Sequence, residues 1–181
     1  MSINKLSAGK NIPEEINVII EIPANSEPIK YEVNKDSGMM FVDRFMSTSM
    51  VYPCDYGYIP QTLSKDNDPV DVLVVCPFPL ISGSVVQCRP IGILSMEDEE
   101  GHDSKLLAVP IDRLTSLYQN IQEPKDLPAP LLNKIRHFFK HYKDLESNKW
   151  VKIQGWNGIE AARQEIIESI ERYKKYTQDV Q

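Results

Sequence analysis

Cysteine is scarce in this 181-residue chain: Cys54, Cys76 and Cys88 are odd in number, widely spaced and form no CxxC pair. That argues against both a disulfide framework and a thiolate zinc site, and leaves reduced, mostly buried thiols. Long apolar runs are missing as well. Residues 1–10 hold no apolar core of signal-peptide length and no later stretch approaches a membrane span, so a cytoplasmic protein without membrane contact is expected. Basic charge is in deficit, 20 Lys and Arg against 26 Asp and Glu for a net charge of −6. A protein that grips nucleic-acid backbone needs a basic stripe, so no nucleic-acid partner is expected. A small anion held through metal ions stays compatible with that balance. There is no internal repeat, low-complexity tract or linker of distinct composition, and 1–181 reads as one domain. What is present, 41% apolar and 25% charged residues, is the make-up of a globular protein with a full core.

β-type segments occur at 17–22, 29–33, 39–45, 70–75, 84–94 and 105–109. No helical pattern separates them, which disfavours a parallel α/β sheet. Two helical stripes follow. Over 129–145, Leu131, Ile135, Phe138 and Tyr142 recur at helical spacing beside Leu132 and Phe139. Over 158–176, Ile159, Ala162, Ile166, Ile170 and Tyr173 mark an inner face and Glu165, Glu168 and Arg172 a solvated outer one, with Asn157 and Glu160 spaced as a capping box. The fold class expected is α+β, dominated by a small β-barrel with flanking helices.

The densest chemistry lies in Asp66-Asn67-Asp68-Pro69-Val70-Asp71-Val72. Asn67 and Pro69 favour a turn and the β-branched run beyond favours a strand, so Asp66 and Asp68 belong to a loop and Asp71 to a strand's start. Three carboxylates drawn together repel one another unless a hard divalent cation sits among them. An acidic, solvated Asx turn is the plain alternative. An EF-hand fits badly, because a loop starting at Asp66 puts Asp71 where glycine is needed and Pro77 where the bidentate Glu belongs.

Other charges interrupt apolar strands. Glu21 shares a face with Ile19, Lys30 and Glu32 share one face of their strand, and alternation sets Arg44 opposite Phe41, Asp43 and Phe45. A second acidic stretch, 96–105, carries Asp98, Asp103 and Lys105. Tyr52 and Tyr56 offer phenolic donors from a turn-rich segment, and Lys143 adds a cation. Acids suited to metal beside bases suited to phosphate point to phosphoryl chemistry. His137 and His141 lie one helical turn apart without a third ligand, which suits an interface or a solvated face better than a metal pair.

These blocks resemble, in order and spacing, the family I soluble inorganic pyrophosphatases in their bacterial form. The most specific is the 66–72 stretch, similar to the family signature D-x-D-P-x-D-x, accompanied by Glu21-Ile22-Pro23, Pro28 to Glu32, Val42-Asp43-Arg44, Tyr52 to Tyr58, Asp98-Glu99, Asp103-Ser104-Lys105, His141-Tyr142-Lys143 and Gly155-Trp156. The resemblance implies a five-stranded, OB-like barrel and Mg²⁺-dependent hydrolysis of pyrophosphate to two orthophosphates by a metal-activated water. It further implies that Asp66, Asp71, Asp98 and Asp103 hold several Mg²⁺ ions, with Glu21 and Glu32 in support. Lys30, Arg44, Tyr56, Lys105, Tyr142 and Lys143 would then hold phosphate oxygens, Asp68 would be the general base and Tyr52 a supporting donor. A homohexamer is implied too, with His137, His141 and Asp144 near an intersubunit contact. Rival readings are a phosphohydrolase of nucleotides or longer polyphosphates, a non-catalytic cation-binding module, and an oligonucleotide-binding barrel. The last fits least, because acids lie beside each base.

Overall fold

The computed structural model describes residues 6–179. Along the chain run β1 (Ile16–Ile22), β2 (Ile29–Val33), β3 (Met40–Phe45), β4 (Asp55–Tyr58), β5 (Asp71–Val74), β6 (Val85–Asp98), β7 (Gly101–His102), β8 (Lys105–Pro110), α1 (Ala129–His141), β9 (Val151–Asn157) and α2 (Ile159–Asp179). Five strands close into a ring, β1 to β4 to β5 to β8 to β6 and back to β1. This is the small barrel expected. β2 and β3 form a separate hairpin.

Every residue of β1, β4 and β8 is buried, which explains why β1 and β8 read as nearly continuous apolar runs. Along β5 and β8, alternate residues serve two cores. Val72, Val74, Leu106 and Ala108 pack in a cluster with Ala162 and Ile166 of α2, whereas Leu73, Leu107 and Val109 join Ile135, Phe138 and Phe139 of α1. β5 and β8 run parallel, the one parallel pair of the ring. β6 intervenes between them and pairs antiparallel with β8, so β8 lies beside β5 in the same direction.

β6 continues to Asp98 and pairs there with β9 and β7, past the boundary expected at 94. β4 and β9 were not foreseen. β4 holds Gly57, where a Cβ would stand 1.9 Å from the Ile19 carbonyl oxygen, so a residue of low strand propensity is required by close packing against β1. Asn157 closes β9 and its amide donates to Ser95 Oγ at 2.8 Å, while α2 begins at Ile159, so the expected capping box is displaced. Glu165, expected on the solvated face, is buried and paired with Arg172 at 2.6 Å. Cys54 and Cys88 are buried and Cys76 half-buried, all as free thiols, and burial pushes Cys54 and Cys76 up to about 12. Among the described residues no helix is long and apolar enough to cross a membrane.

Candidate active site

The parallel register of β5 and β8 pairs Val72 with Leu106. One step earlier on each strand stand Asp71 and Lys105, brought side by side at a shared strand end. Lys105 Nζ donates to Asp71 Oδ2 at 2.5 Å and also bonds Asp103, which reaches it from the loop after β7. Around this pair opens a cleft of about 270 Å³. Lys30, Glu32 and Arg44 enter from the β2–β3 hairpin, Tyr56 from β4, and Asp98 from the far end of β6. Asp66 and Asp68 come from the loop before β5, and Tyr142 and Lys143 follow α1. Tyr52 completes the set. Thirteen of the fourteen residues assigned to a site by sequence face this one cleft. The fourteenth, Glu21, lines an adjoining chamber of about 60 Å³ together with Lys30, Glu32, Tyr56, Asp68 and Asp71.

Local structure fixes several of these side chains. Asp66 Oδ1 accepts the Asp68 amide at 3.0 Å, an Asx turn with Asn67 at φ 69, so the plain reading of the loop is also true of it. Glu21 accepts the Val33 amide at 2.8 Å and lies 3.9 Å from Lys35, the partners its place among apolar neighbours called for. Lys143 donates to Asp98 at 2.7 Å and to Glu99 at 3.3 Å. The Tyr142 ring stacks on Phe138 at 5.3 Å, and the Tyr52 ring lies 4.9 Å from that of Tyr56.

Strict alternation misplaced one residue. In the β2–β3 pairing Lys30 faces Arg44 and Tyr31 faces Val42, leaving Asp43 as the extra residue of a bulge. The bulge turns Asp43 into the cleft, 3.3 Å from Lys30, instead of onto the face of Phe41 and Phe45. Glu100 and Lys149 also line the cleft, beyond the residues that the sequence marks. Lys149 follows Asn148 at φ 64 and pairs with Glu99 at 3.1 Å, and a turn lysine carries no sequence signal that separates it from solvated ones. Outside the cleft, the His137 and His141 rings lie 4.7 Å apart, tilted at 46°, and His141 Nδ1 meets Asp144 at 2.7 Å on an accessible face.

Charge in the cleft is unbalanced, with eight carboxylates against five cationic side chains. Burial, then repulsion from Asp71 and Asp103, pushes Asp66 up to about 6. Asp68 is raised by burial and by Asp71 and Glu32, and Glu21 by burial to about 7. Burial also raises Tyr56 and Tyr142, which keeps both phenols protonated as donors. Burial alone would lower Lys105, but Asp103 and Asp71 outweigh it and hold the ammonium protonated. Glu99 falls to about 2: the burial that would raise it is overcome by its own backbone amide and by Lys149 and Lys143.

The expected convergence of Asp66, Asp68 and Asp71 is looser than a metal cage. Among the described residues no three His, Cys, Asp or Glu side chains come together closely enough to ligate an ion. Like charges hold these carboxylates apart, and Lys105 serves as counter-ion to Asp71 and Asp103. The donor chemistry nonetheless suits a hard cation, since carboxylate oxygens prevail and their crowding disfavours ionisation without one.

Residues 18–174 match the family model described as inorganic pyrophosphatase. The inorganic pyrophosphatase of Yersinia pestis is 59% identical over 175 residues, covering 97% of this chain and 100% of that protein. That of Escherichia coli is 59% identical over 174 residues, covering 96% and 99%. The solved structure of an inorganic pyrophosphatase from Coxiella burnetii superposes with a TM-score of 0.90 at 53% identity, covering 93% of this chain and 99% of that one. With all but the first two residues of the barrel, the loops around the cleft and most of α2 inside the matched span, the chain belongs to the inorganic pyrophosphatase family.

Proposed function

We propose that this chain hydrolyses inorganic pyrophosphate to two orthophosphates with Mg²⁺ as cofactor, and that Asp68 is the general base. The observation that carries the reading is the composition of this cleft, which gathers acidic and basic side chains in one small space. With three more acids than bases, that space repels a polyanion until cations are added, so metal and substrate binding are coupled. Asp66, Asp71, Asp98 and Asp103 would hold the ions, supported by Glu21 and Glu32. Bound Mg²⁺ would neutralise substrate charge and lower the pKa of a water toward neutrality.

The chain's own groups do the rest. Lys30, Lys105 and Lys143 present ammonium donors to phosphate oxygens, and Arg44 a fork suited to two of them. Tyr56 and Tyr142 donate O–H groups kept protonated by burial, and Tyr52 supports Tyr56 by ring contact. Asp68 accepts the proton of the attacking water, a role that suits a carboxyl whose proton affinity is raised by burial and by Asp71 and Glu32. Residues 1–181 act as one cytoplasmic domain in this reading. The accessible His137, His141 and Asp144 are the contact through which copies assemble into a homohexamer.

Phosphate release from pyrophosphate, ATP and tripolyphosphate, with and without Mg²⁺, tests the activity. Release that is fastest on pyrophosphate and lost in EDTA is expected. Asp68→Asn should lower the rate by roughly two to four orders of magnitude with the fold intact, and near-normal turnover at saturating Mg²⁺ would remove Asp68 from the role.

A further inference from the structure

Helix α2 grips the loop that carries Asp66 and Asp68. Leu63, three residues ahead of Asp66, has both backbone polar groups engaged by α2. Its N–H donates to the Ser169 carbonyl at 3.0 Å, and its own carbonyl accepts from Arg172 Nε at 2.7 Å. Arg172 is oriented in turn, with Nη2 donating to Glu165 at 2.6 Å and Nη1 reaching Glu168 at 3.5 Å. Glu165 and Arg172 are seven residues apart, two helical turns on one face. The guanidinium thus donates in three directions within one plane, which an ammonium cannot reproduce.

Beyond Leu63 the loop is tied mainly to itself. Ser64 N–H donates to the Asp68 carbonyl at 2.7 Å, Asn67 N–H to the Ser64 carbonyl at 3.2 Å, and Asp68 N–H to Asp66 Oδ1 at 3.0 Å. Its far side is pinned where Thr62 Oγ1 accepts the Val70 amide at 3.0 Å. A self-braced loop of this kind shifts as a unit when an anchor is lost, taking Asp66 and Asp68 together.

We propose that Arg172 is a positioning residue for the cation site: through the Leu63 carbonyl it sets where Asp66 and Asp68 stand. The inference rests on the reading of Asp66 as a Mg²⁺ ligand. Arg172 does not line the cleft, so replacing it alters no group that touches substrate. Removing it leaves the Leu63 carbonyl and the buried Glu165 carboxylate without this donor and halves the helix's hold on Leu63. Hydrogen-bond partners of metal ligands typically change metal affinity by about 10–100-fold when replaced, and Arg172, which acts one step further back through the Leu63 carbonyl, belongs at the low end.

The test is calorimetric titration of Mg²⁺ alone, without pyrophosphate, into the wild type, Arg172→Met, Arg172→Lys and Glu165→Gln, below the melting temperature of each. Arg172→Met should weaken Mg²⁺ binding about tenfold, with turnover reduced at limiting Mg²⁺ and largely restored at saturation. Arg172→Lys, which keeps the charge facing Glu165 without the planar fork, should fall between. Glu165→Gln should shift binding the same way by a smaller factor and carries the test if Arg172→Met does not fold. Lower melting temperatures with unchanged Mg²⁺ affinity in the folded variants would make the clamp purely structural and overturn the proposal. A wild type that binds no Mg²⁺ would instead sink the metal reading beneath it.

Discussion

Replacing Lys105 by methionine keeps the reach of the side chain and removes its charge. The Lys105 side chain is 5% exposed and lies between Asp71, 24% exposed, and Asp103, 13% exposed. A near-isosteric apolar stem costs little in packing. Removing one partner from a buried ion pair costs about 3–5 kcal/mol, and the partial exposure of both acids places the expected loss at the lower end, about 3 kcal/mol. In a chain of this size that loss lowers the melting temperature by about 6–12 °C. The measurement is thermal unfolding of wild type and Lys105→Met, first in EDTA and then across a Mg²⁺ series. In the variant Asp71 and Asp103 have no competing ammonium, so Mg²⁺ should stabilise it more than the wild type and narrow the gap. Equal melting temperatures in EDTA, or a gap that Mg²⁺ leaves unchanged, would refute the account of Lys105 as the counter-ion that stands in for a cation.

Other consequences follow from the same site and its frame. Glu21 and Asp66 are raised from 4.5 to about 7 and from 3.8 to about 6. Folding therefore favours their neutral forms, and the stability they contribute is fully present below those unfolded values and lost as pH rises through 6 to 7. Cation-free protein should melt at progressively lower temperature between pH 5 and pH 7.5, with excess Mg²⁺ flattening the slope; a profile that climbs across that window in EDTA contradicts the assignment. With Asp66 in the proposed role of Mg²⁺ ligand, binding displaces its proton, so the half-saturating concentration should rise as pH is lowered through about 6, measurable by titration at three pH values. Gly57→Ala forces a Cβ against the Ile19 carbonyl oxygen, at 1.9 Å if nothing moves. It should cost about 3 kcal/mol in denaturant unfolding, and a stable variant would show that β1 and β4 can separate without loss.

Much of the site was legible because its residues break local rules. Glu21 interrupts an apolar strand, three aspartates crowd one turn, and Lys105 opens a run that is otherwise apolar. Such breaks mark groups whose partners lie elsewhere in the chain. Residues that break no rule stayed hidden. Lys149 sits in an ordinary turn, and Glu165 follows the pattern of a solvated helix face yet is buried under the ion pair with Arg172. Strand alternation puts Asp43 on the wrong face, since a bulge is a property of the pairing of two strands and not of either one.

The order of apolar and polar residues, by itself, determined the α+β class, most of the strands, both helices and the chemical kind of the site, because hydrophobic period and residue chemistry are local properties. Tertiary structure alone decided that β5 and β8 run parallel with Asp71 beside Lys105, that the β2–β3 hairpin faces them, and that α2 reaches back to Leu63. Those are contacts between segments 34 to 109 residues apart, chosen by how the whole barrel closes and packs. The same closure also determines that Asp71, at the end of that crowded stretch, meets Lys105.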